Sequence, residues 1–377
     1  MKKCHTRLTG IQLAGFKSIR EQSIRFGDVT LLLGANGSGK SNLASFFTLM
    51  SRVSGGAFQS YIARHGGANS LLYFGAKKTS QIRFSMAFGM AGDEHWRYRY
   101  SADLTFGMPD RLVFEKERID GEKLGPGTPE MRHHLVSGGG AEAGVIEEDS
   151  ELSCLITKAL SGIKTYQFHD TSDNSKVRAN CYTHDNETLR EDAGNLAAFL
   201  YGLKGNRELD KYYRRIVRHV QNSMPQFHDF QLKPDARNEN TIRLNWFDIT
   251  QEFLFGPHQI SDGSLRFMAL ASLLLQPPHR LPRVIVLDEP ELGLHPAAIS
   301  ELAGMIRTAS VHSQVIVATQ STRLVDEFEL GETVVVDWDQ ERRCSEFKRL
   351  EGDGLNHWLE RYSLSELWEK NVFGGRP

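Results

Sequence analysis

Cysteine is scarce and scattered. Cys4, Cys154, Cys181 and Cys344 are the only four in 377 residues, and no two form a C-x-x-C pair. That spacing excludes a zinc ribbon and offers no disulfide framework, so free thiols in a reducing compartment are expected. Neither sign of charge is in surplus: 45 Lys and Arg against 47 Asp and Glu leave a net charge of -2. A protein that coats nucleic acid over its whole surface is thereby disfavoured, although a local basic patch is not. No apolar run approaches the ~20 residues of a membrane span. The first residues, Met1-Lys2-Lys3-Cys4-His5-Thr6-Arg7, lack the apolar stretch of a secretion signal. The expectation is a cytoplasmic protein with no membrane partner. Repeats of solenoid length and long coiled-coil heptads are absent as well.

What is present begins with Gly34-Ala35-Asn36-Gly37-Ser38-Gly39-Lys40-Ser41. The apolar run Val29-Thr30-Leu31-Leu32-Leu33 before it reads as a buried strand, and Asn42-Leu43-Ala44-Ser45-Phe46-Phe47 after it has helical spacing. Strand, glycine loop and helix are the context a G-x-x-x-x-G-K-[ST] phosphate loop requires. Gly34, Gly37 and Gly39 let the backbone turn tightly, so that the amides of Asn36, Ser38 and their neighbours face inward. Lys40 can reach the β- and γ-phosphates, the Ser41 hydroxyl can ligate Mg²⁺, and Asn42 opens the helix whose N-terminus favours an anion. ATP with Mg²⁺ is the expected ligand.

Along the chain, Leu8–Phe26 alternates as a hairpin with Gly15-Phe16-Lys17-Ser18-Ile19 between its strands. Residues 81–88 and 96–104 alternate as antiparallel strands. The expected organisation is an N-terminal lobe over 1–119 and a mobile, glycine-rich link over 120–150. A helix and strand follow in 151–185, then a helical insertion in 186–228. The C-terminal lobe over 229–345 has the alternating rhythm of a mostly parallel sheet wrapped by helices, and 346–377 form a tail. Lys204, Arg207, Lys211, Arg214, Arg215 and Arg218 crowd the helical insertion, either as a solvated face or as contacts to a phosphate backbone. Leu367 and Trp368 in the tail either cap the domain or dock a partner. The fold class expected is α/β, with an antiparallel β subdomain.

The second constellation is Arg283-Val284-Ile285-Val286-Leu287-Asp288-Glu289-Pro290-Glu291, an apolar run closing in acids. It fits a buried strand with carboxylates at its C-terminal end, where an open α/β sheet presents its ligand crevice. Asp288 would hold Mg²⁺ through water, and Glu289 would orient or deprotonate the attacking water.

Gln259-Ile260-Ser261-Asp262-Gly263-Ser264-Leu265-Arg266 resembles the signature motif of the ABC-type ATPases, in the SMC/Rad50/RecF-like branch. Asp288-Glu289-Pro290-Glu291-Leu292-Gly293-Leu294-His295-Pro296 is similar to that branch's Walker B and D-loop. The resemblance covers residues 8–75 and 255–340 and implies an ABC-type P-loop fold. It implies further that Ser261 and Gly263 of one chain cap ATP held by the phosphate loop of another, giving a head-to-tail homodimer. Tyr166-Gln167-Phe168-His169-Asp170 falls where the family's Q-loop belongs, with Gln167 the candidate to sense Mg²⁺ and the attacking water, and His169 the alternative. Arg64 occupies a place resembling the arginine loop, where it either approaches phosphate or is a plain surface residue. In place of the family's switch histidine stands Gln320, in Val317-Ala318-Thr319-Gln320-Ser321. Gln320 can donate to a γ-phosphate or water but cannot become a cation near neutral pH.

The compact size and Gly66–Ser70 resemble the small AAA_21-type ATPases of bacterial antiphage defence, related to the ATPase portion of overcoming-lysogenisation-defect nucleases. This implies ATP hydrolysis that controls a separately encoded effector, such as a TOPRIM or HNH nuclease, with DNA or RNA as a further candidate ligand. No nuclease motif is found in the chain itself. A RecF-like repair clamp and an ATP-locked structural dimer with little hydrolysis are the competing expectations; a membrane transporter subunit fits least.

Overall fold

The computed structural model of the chain describes residues 6–90, 93–123, 130–136, 140–351, 358 and 361–375. Two six-stranded sheets organise it. The first is antiparallel, in the order β2-β1-β4-β5-β6-β7, built from β1 (Thr6–Phe16), β2 (Ile19–Arg25), β4 (Gln81–Met90), β5 (Asp93–Gly107), β6 (Arg111–Lys123) and β7 (Glu130–Val136). The second runs β17-β16-β3-β15-β14-β8. Its strands are β3 (Val29–Leu33), β8 (Ile163–Tyr166), β14 (Val284–Asp288), β15 (Gln314–Thr319), β16 (Thr333–Asp339) and β17 (Cys344–Arg349). All its pairings are parallel except that of the edge strand β17.

The strands of the second sheet are apolar nearly throughout because both faces are covered. Leu31, Leu33, Ile285, Leu287, Val315 and Val317 face one core. Their neighbours Leu32, Val284, Val286, Ile316 and Ala318 face the other. The two-residue period of a strand thus divides one sheet between two cores. The first core is covered by α5 (Leu196–Lys204), α6 (Asp210–Ser223), α7 (Asp262–Leu274) and α8 (Pro296–Ser310). The second is filled by α1 (Lys40–Val53) and the inner face of the antiparallel sheet. On α1, Phe46 meets Phe16 and Phe84 edge-to-face at 5.4 and 5.5 Å between centroids, which ties the antiparallel sheet to the phosphate-loop helix.

Several expectations need amendment. The stretch 120–150, taken as a link, carries β6 on to Lys123 and returns as β7, both ordinary members of the antiparallel sheet. Glu117 on β6 then accepts from the Gly144 and Val145 amides at 2.8 and 3.2 Å, fixing the short turn of helix Gly144–Ile146. Glycine content hid these strands because strand pairing depends on backbone hydrogen bonds, which glycine also makes. Gly125-Pro126-Gly127 and Ser137-Gly138-Gly139 lie outside the described residues. The helices of 186–228 share a core with α7 and α8 and so belong to the body of the domain. Among the described residues, no helix is long and apolar enough to cross a membrane.

Candidate nucleotide site

Four of the parallel strands end at one edge of the sheet, and each delivers a piece of the site there. Their register aligns Asp288 with Ala318 and Thr319 with Leu33. The phosphate loop after β3, the acids after β14, Gln167 after β8 and Gln320 after β15 therefore project from the same carboxyl-end edge, the place for a ligand in an open α/β sheet.

The loop itself is forced into shape by glycine. Gly37 and Gly39 have φ of +81° and +114°, conformations that a side chain strongly disfavours. A Cβ on Gly39 would also stand 2.0 Å from Ser345 Oγ and 2.9 Å from Ser18 Oγ. Lys40 is buried, and its ammonium donates to the Gly34 and Ala35 carbonyls at 2.7 and 2.8 Å, folding the side chain back over the loop. Burial lowers its pKa, while Glu289, Asp288 and Glu291 oppose the shift. Ser38 is buried with a hydroxyl that has no partner among the described residues, a donor turned toward Gly34 of the loop. An orphaned hydroxyl, two left-handed glycines and a folded lysine fit a phosphate cradle.

Beside the loop, Ser41 Oγ donates to one Asp288 oxygen at 3.2 Å and Gln167 Nε2 to the other at 2.9 Å. A hydroxyl, a carboxylate and an amide thus meet at one point. This oxygen-rich set suits Mg²⁺, which keeps several waters and needs only one or two carboxylates. His169, the alternative to Gln167, bonds the Asp288 backbone carbonyl at 2.9 Å, whereas Gln167 touches the carboxylate. Glu289 sits at φ +45°, a strained conformation for a non-glycine residue, and its amide donates to the Ala318 carbonyl at 2.8 Å. Its side chain is half-buried and makes no hydrogen bond or ion pair among the described residues. Gln320 is half-buried at the end of β15.

Other candidates stand apart. Arg64 is exposed at the C-terminal end of α2 (Phe58–Arg64), and no hydrogen bond or ion pair joins it to the rest of the site. Asn42 turns away from the loop and donates to Ser18 Oγ at 2.7 Å. Ser261 is the N-cap of α7, accepting from the Ser264 amide at 3.2 Å; it and Asp262 are exposed. Gly263 packs on the D-loop so closely that a Cβ would lie 2.2 Å from the Gly293 carbonyl oxygen.

Sequence reasoning missed the residues that fasten these loops together. Arg266, buried on α7, donates to the carbonyls of Phe168 at 2.8 Å and His169 at 3.4 Å, and to that of Leu292. Arg178, also buried, donates to the carbonyls of Thr171, Pro257 and Ile260 and to the Asp262 carboxylate. Glu291 is buried, accepts from Thr319 Oγ1, and has its pKa raised by burial. A charged residue among the apolar positions of α7 was the available signal for Arg266. Arg178 gave none, because its partners are backbone atoms remote in sequence.

Comparison with known proteins agrees with this geometry. Over 94% of this chain and 99% of theirs, two solved structures superpose on it. One, "Crystal structure of the SmcHead bound to the C-winged helix domain of ScpA", gives a TM-score of 0.59 at 16% identity. The other, an Smc head domain with an extended coiled coil bound to the C-terminal domain of ScpA derived from Pyrococcus furiosus, gives 0.58 at 14% identity. The chain has the fold of the SMC head, an ABC-type P-loop ATPase fold. Residues 159–326 match the family AAA_21, described as "AAA domain, putative AbiEii toxin, Type IV TA system". That match spans Gln167, the signature-like segment, Asp288 and Gln320, while the phosphate loop lies before it. No curated protein matches the chain. The solved structures share the fold, and the family resemblance is confined to residues 159–326.

Proposed function

We propose that the chain binds ATP with Mg²⁺ on its phosphate loop, closes head to tail with a second copy around two nucleotides, and separates on hydrolysis. The observation that carries this reading is the meeting of Ser41 and Gln167 on the Asp288 carboxylate, beside a lysine folded over a glycine loop. Mg²⁺ held there would neutralise charge developing on the β- and γ-phosphates. Lys40 would swing from the Gly34 and Ala35 carbonyls to phosphate. Glu289, whose side chain has no partner among the described residues, would orient or deprotonate the attacking water. Gln167 would report on that geometry through its bond to Asp288, and Gln320 would donate to the γ-phosphate or water. The exposed Ser261 hydroxyl, the Gly263 amide and the start of the 13-residue helix α7 would supply the second chain's anion-binding surface. Exposed Leu292 beside them would enter the same contact.

The cycle would govern a separately encoded effector, a TOPRIM or HNH nuclease in antiphage defence, with DNA or RNA as the sensed ligand. Supporting this are the resemblance to small defence ATPases, the toxin–antitoxin system in the matched family's description, and the fact that related heads hold a ScpA domain. Sedimentation of Glu289→Gln with ATP and Mg²⁺ tests the dimer: a species of twice the mass is expected, and a strict monomer at saturating nucleotide sinks the mechanism. Lys40→Ala should abolish ATP binding or turnover. Gln320 favours a second reading, an ATP-locked dimer that scarcely hydrolyses; single-turnover hydrolysis measured on the wild-type chain separates the two.

A further inference from the structure

A cleft of about 490 Å³ opens beside the β1–β2 hairpin, and its lining is charged with one sign only. Arg20, Lys78, Arg83 and Arg342 line it with the hydroxyl residues Thr79 and Ser80, and among the described residues no carboxylate does. Like charges gathered around a cavity repel one another unless an anion joins them. Arg342 is already answered by Asp339 at 3.6 Å and Glu346 at 2.8 Å. Lys78 lies over the rings of Tyr73 and Phe74, 5.6 and 4.5 Å from their centroids. Arg20 and Arg83 make no side-chain hydrogen bond or ion pair among the described residues, and both are exposed. The Thr79 and Ser80 hydroxyls are likewise without a side-chain hydrogen bond there.

We propose that this cleft is a second phosphate-binding site, taking the phosphates of a nucleotide ligand presented either as a single strand of nucleic acid or as a free oligophosphate. Guanidinium forks match phosphate oxygens in pairs, and hydroxyls at the floor add neutral donors. The volume is that of a small-ligand site, within the usual range of about 300–1,000 Å³.

The cleft is joined to the nucleotide site by the hairpin between them; this coupling rests on the phosphate-loop reading, whereas the binding does not. Gly15 and Arg20 flank the turn Lys17-Ser18. Lys17 donates to Ser45 Oγ at 2.7 Å, and Ser18 Oγ accepts from Asn42 at 2.7 Å, both partners standing on α1 behind the phosphate loop. Tyr73, on the cleft wall, donates to the Arg342 and Arg343 carbonyls at 3.1 and 3.0 Å, and Ser345 bonds Ser18 at 2.7 Å. A ligand that draws Arg20 and Arg342 together therefore acts on both sides of the turn that supports α1.

The test titrates the full chain, with a non-hydrolysable ATP analogue and Mg²⁺ present and again without nucleotide, using a labelled twelve-nucleotide dT strand and, separately, tripolyphosphate. Arg20→Gln with Arg83→Gln is compared with Arg237→Ala and Arg243→Ala, which remove the same charge from exposed positions elsewhere. The cleft pair should weaken binding roughly tenfold or more, since each charge-assisted bond is worth about a factor of ten, and the remote pair less than about twofold. Loss confined to the strand identifies nucleic acid; loss confined to tripolyphosphate identifies a free oligophosphate. The site is overturned if neither probe binds, if the two pairs of substitutions act alike, or if the ATP analogue displaces the probe one for one. The phosphate-loop reading fails on a different result, an unchanged ATP affinity in Lys40→Ala, which leaves the cleft titration standing.

Discussion

Glu291 places a carboxyl where the molecule gains little from its charge. It is 8% exposed, one oxygen accepts from Thr319 and the other has no side-chain partner, and burial raises its pKa despite the Thr319 bond. Thr319 also accepts from the Ser321 amide at 2.9 Å, so the carboxyl steadies the turn that carries Gln320. A carboxyl whose folded pKa exceeds its unfolded one binds more protons in the native state. Its stability contribution is then fully present below the unfolded value and is lost as pH rises through the folded one. Unfolding in urea at a series of pH values should show the wild-type chain losing stability relative to Glu291→Gln as pH climbs out of the ordinary glutamate range. Glutamine keeps an acceptor for Thr319 and has no charge to bury. Parallel curves for the two proteins would show that Glu291 titrates as if exposed, contrary to its burial.

At the scale of elements, Arg178 and Arg266 decide how the loops of the site are held relative to α7. Arg178 satisfies three backbone carbonyls and the Asp262 carboxylate from a buried position, so Arg178→Ala takes this donor from the three carbonyls in a space water reaches poorly, while the exposed Asp262 carboxylate turns to solvent. A loss of about 2–4 kcal/mol in equilibrium unfolding is expected, with Arg178→Lys recovering part of it through one or two of the bonds. A loss below about 0.5 kcal/mol, the level of an ordinary surface substitution, would mean the loop 257–262 holds its shape unaided. This level also separates what could be read from sequence from what could not. β3, α1, β14 and α7 were legible because each combines a continuous or periodic apolar pattern with a local mark: a glycine loop, an acid pair or a signature-like segment. Gln167 was legible as a candidate only through resemblance; its amide donates to the Asp288 carboxylate. β7 and the end of β6 were not, since an antiparallel sheet with one polar face tolerates glycine and charge. Arg178 and Ser345 were not, because each meets its partners only after strands far apart in sequence pair: Ser345 reaches Ser18 once β17 returns beside the hairpin.

For the whole molecule, one parallel sheet serves two cores, and the tail closes the first of them. Leu364 and Trp368 are buried against it and Leu367 is buried beside them, which favours the cap over a docking arm for this segment. The same segment then runs to the phosphate loop, where the Gly375 amide donates to Asp337 at 3.1 Å and its carbonyl accepts from the Ala35 amide at 3.0 Å. Gly375 has φ +81°, and a Cβ there would stand 2.5 Å from Val335 Cγ1, so only glycine fits. Removing residues 364–377 withdraws three large apolar side chains from the core, each worth about 1.5–3 kcal/mol, out of a total stability on the order of 5–15 kcal/mol. Truncation therefore tests the cap but cannot isolate its effect on the loop. Gly375→Ala separates the two better, because it leaves Leu364, Leu367 and Trp368 in the chain and places its Cβ between the strap and the Val335 and Trp368 side chains. Calorimetric titration of that variant should show weaker ATP binding than wild type, with unfolding in urea shifted by less than the truncation shifts it. Equal ATP affinity in the two proteins would mean that the loop keeps its cradle without the Gly375 carbonyl, and that the tail acts on stability alone.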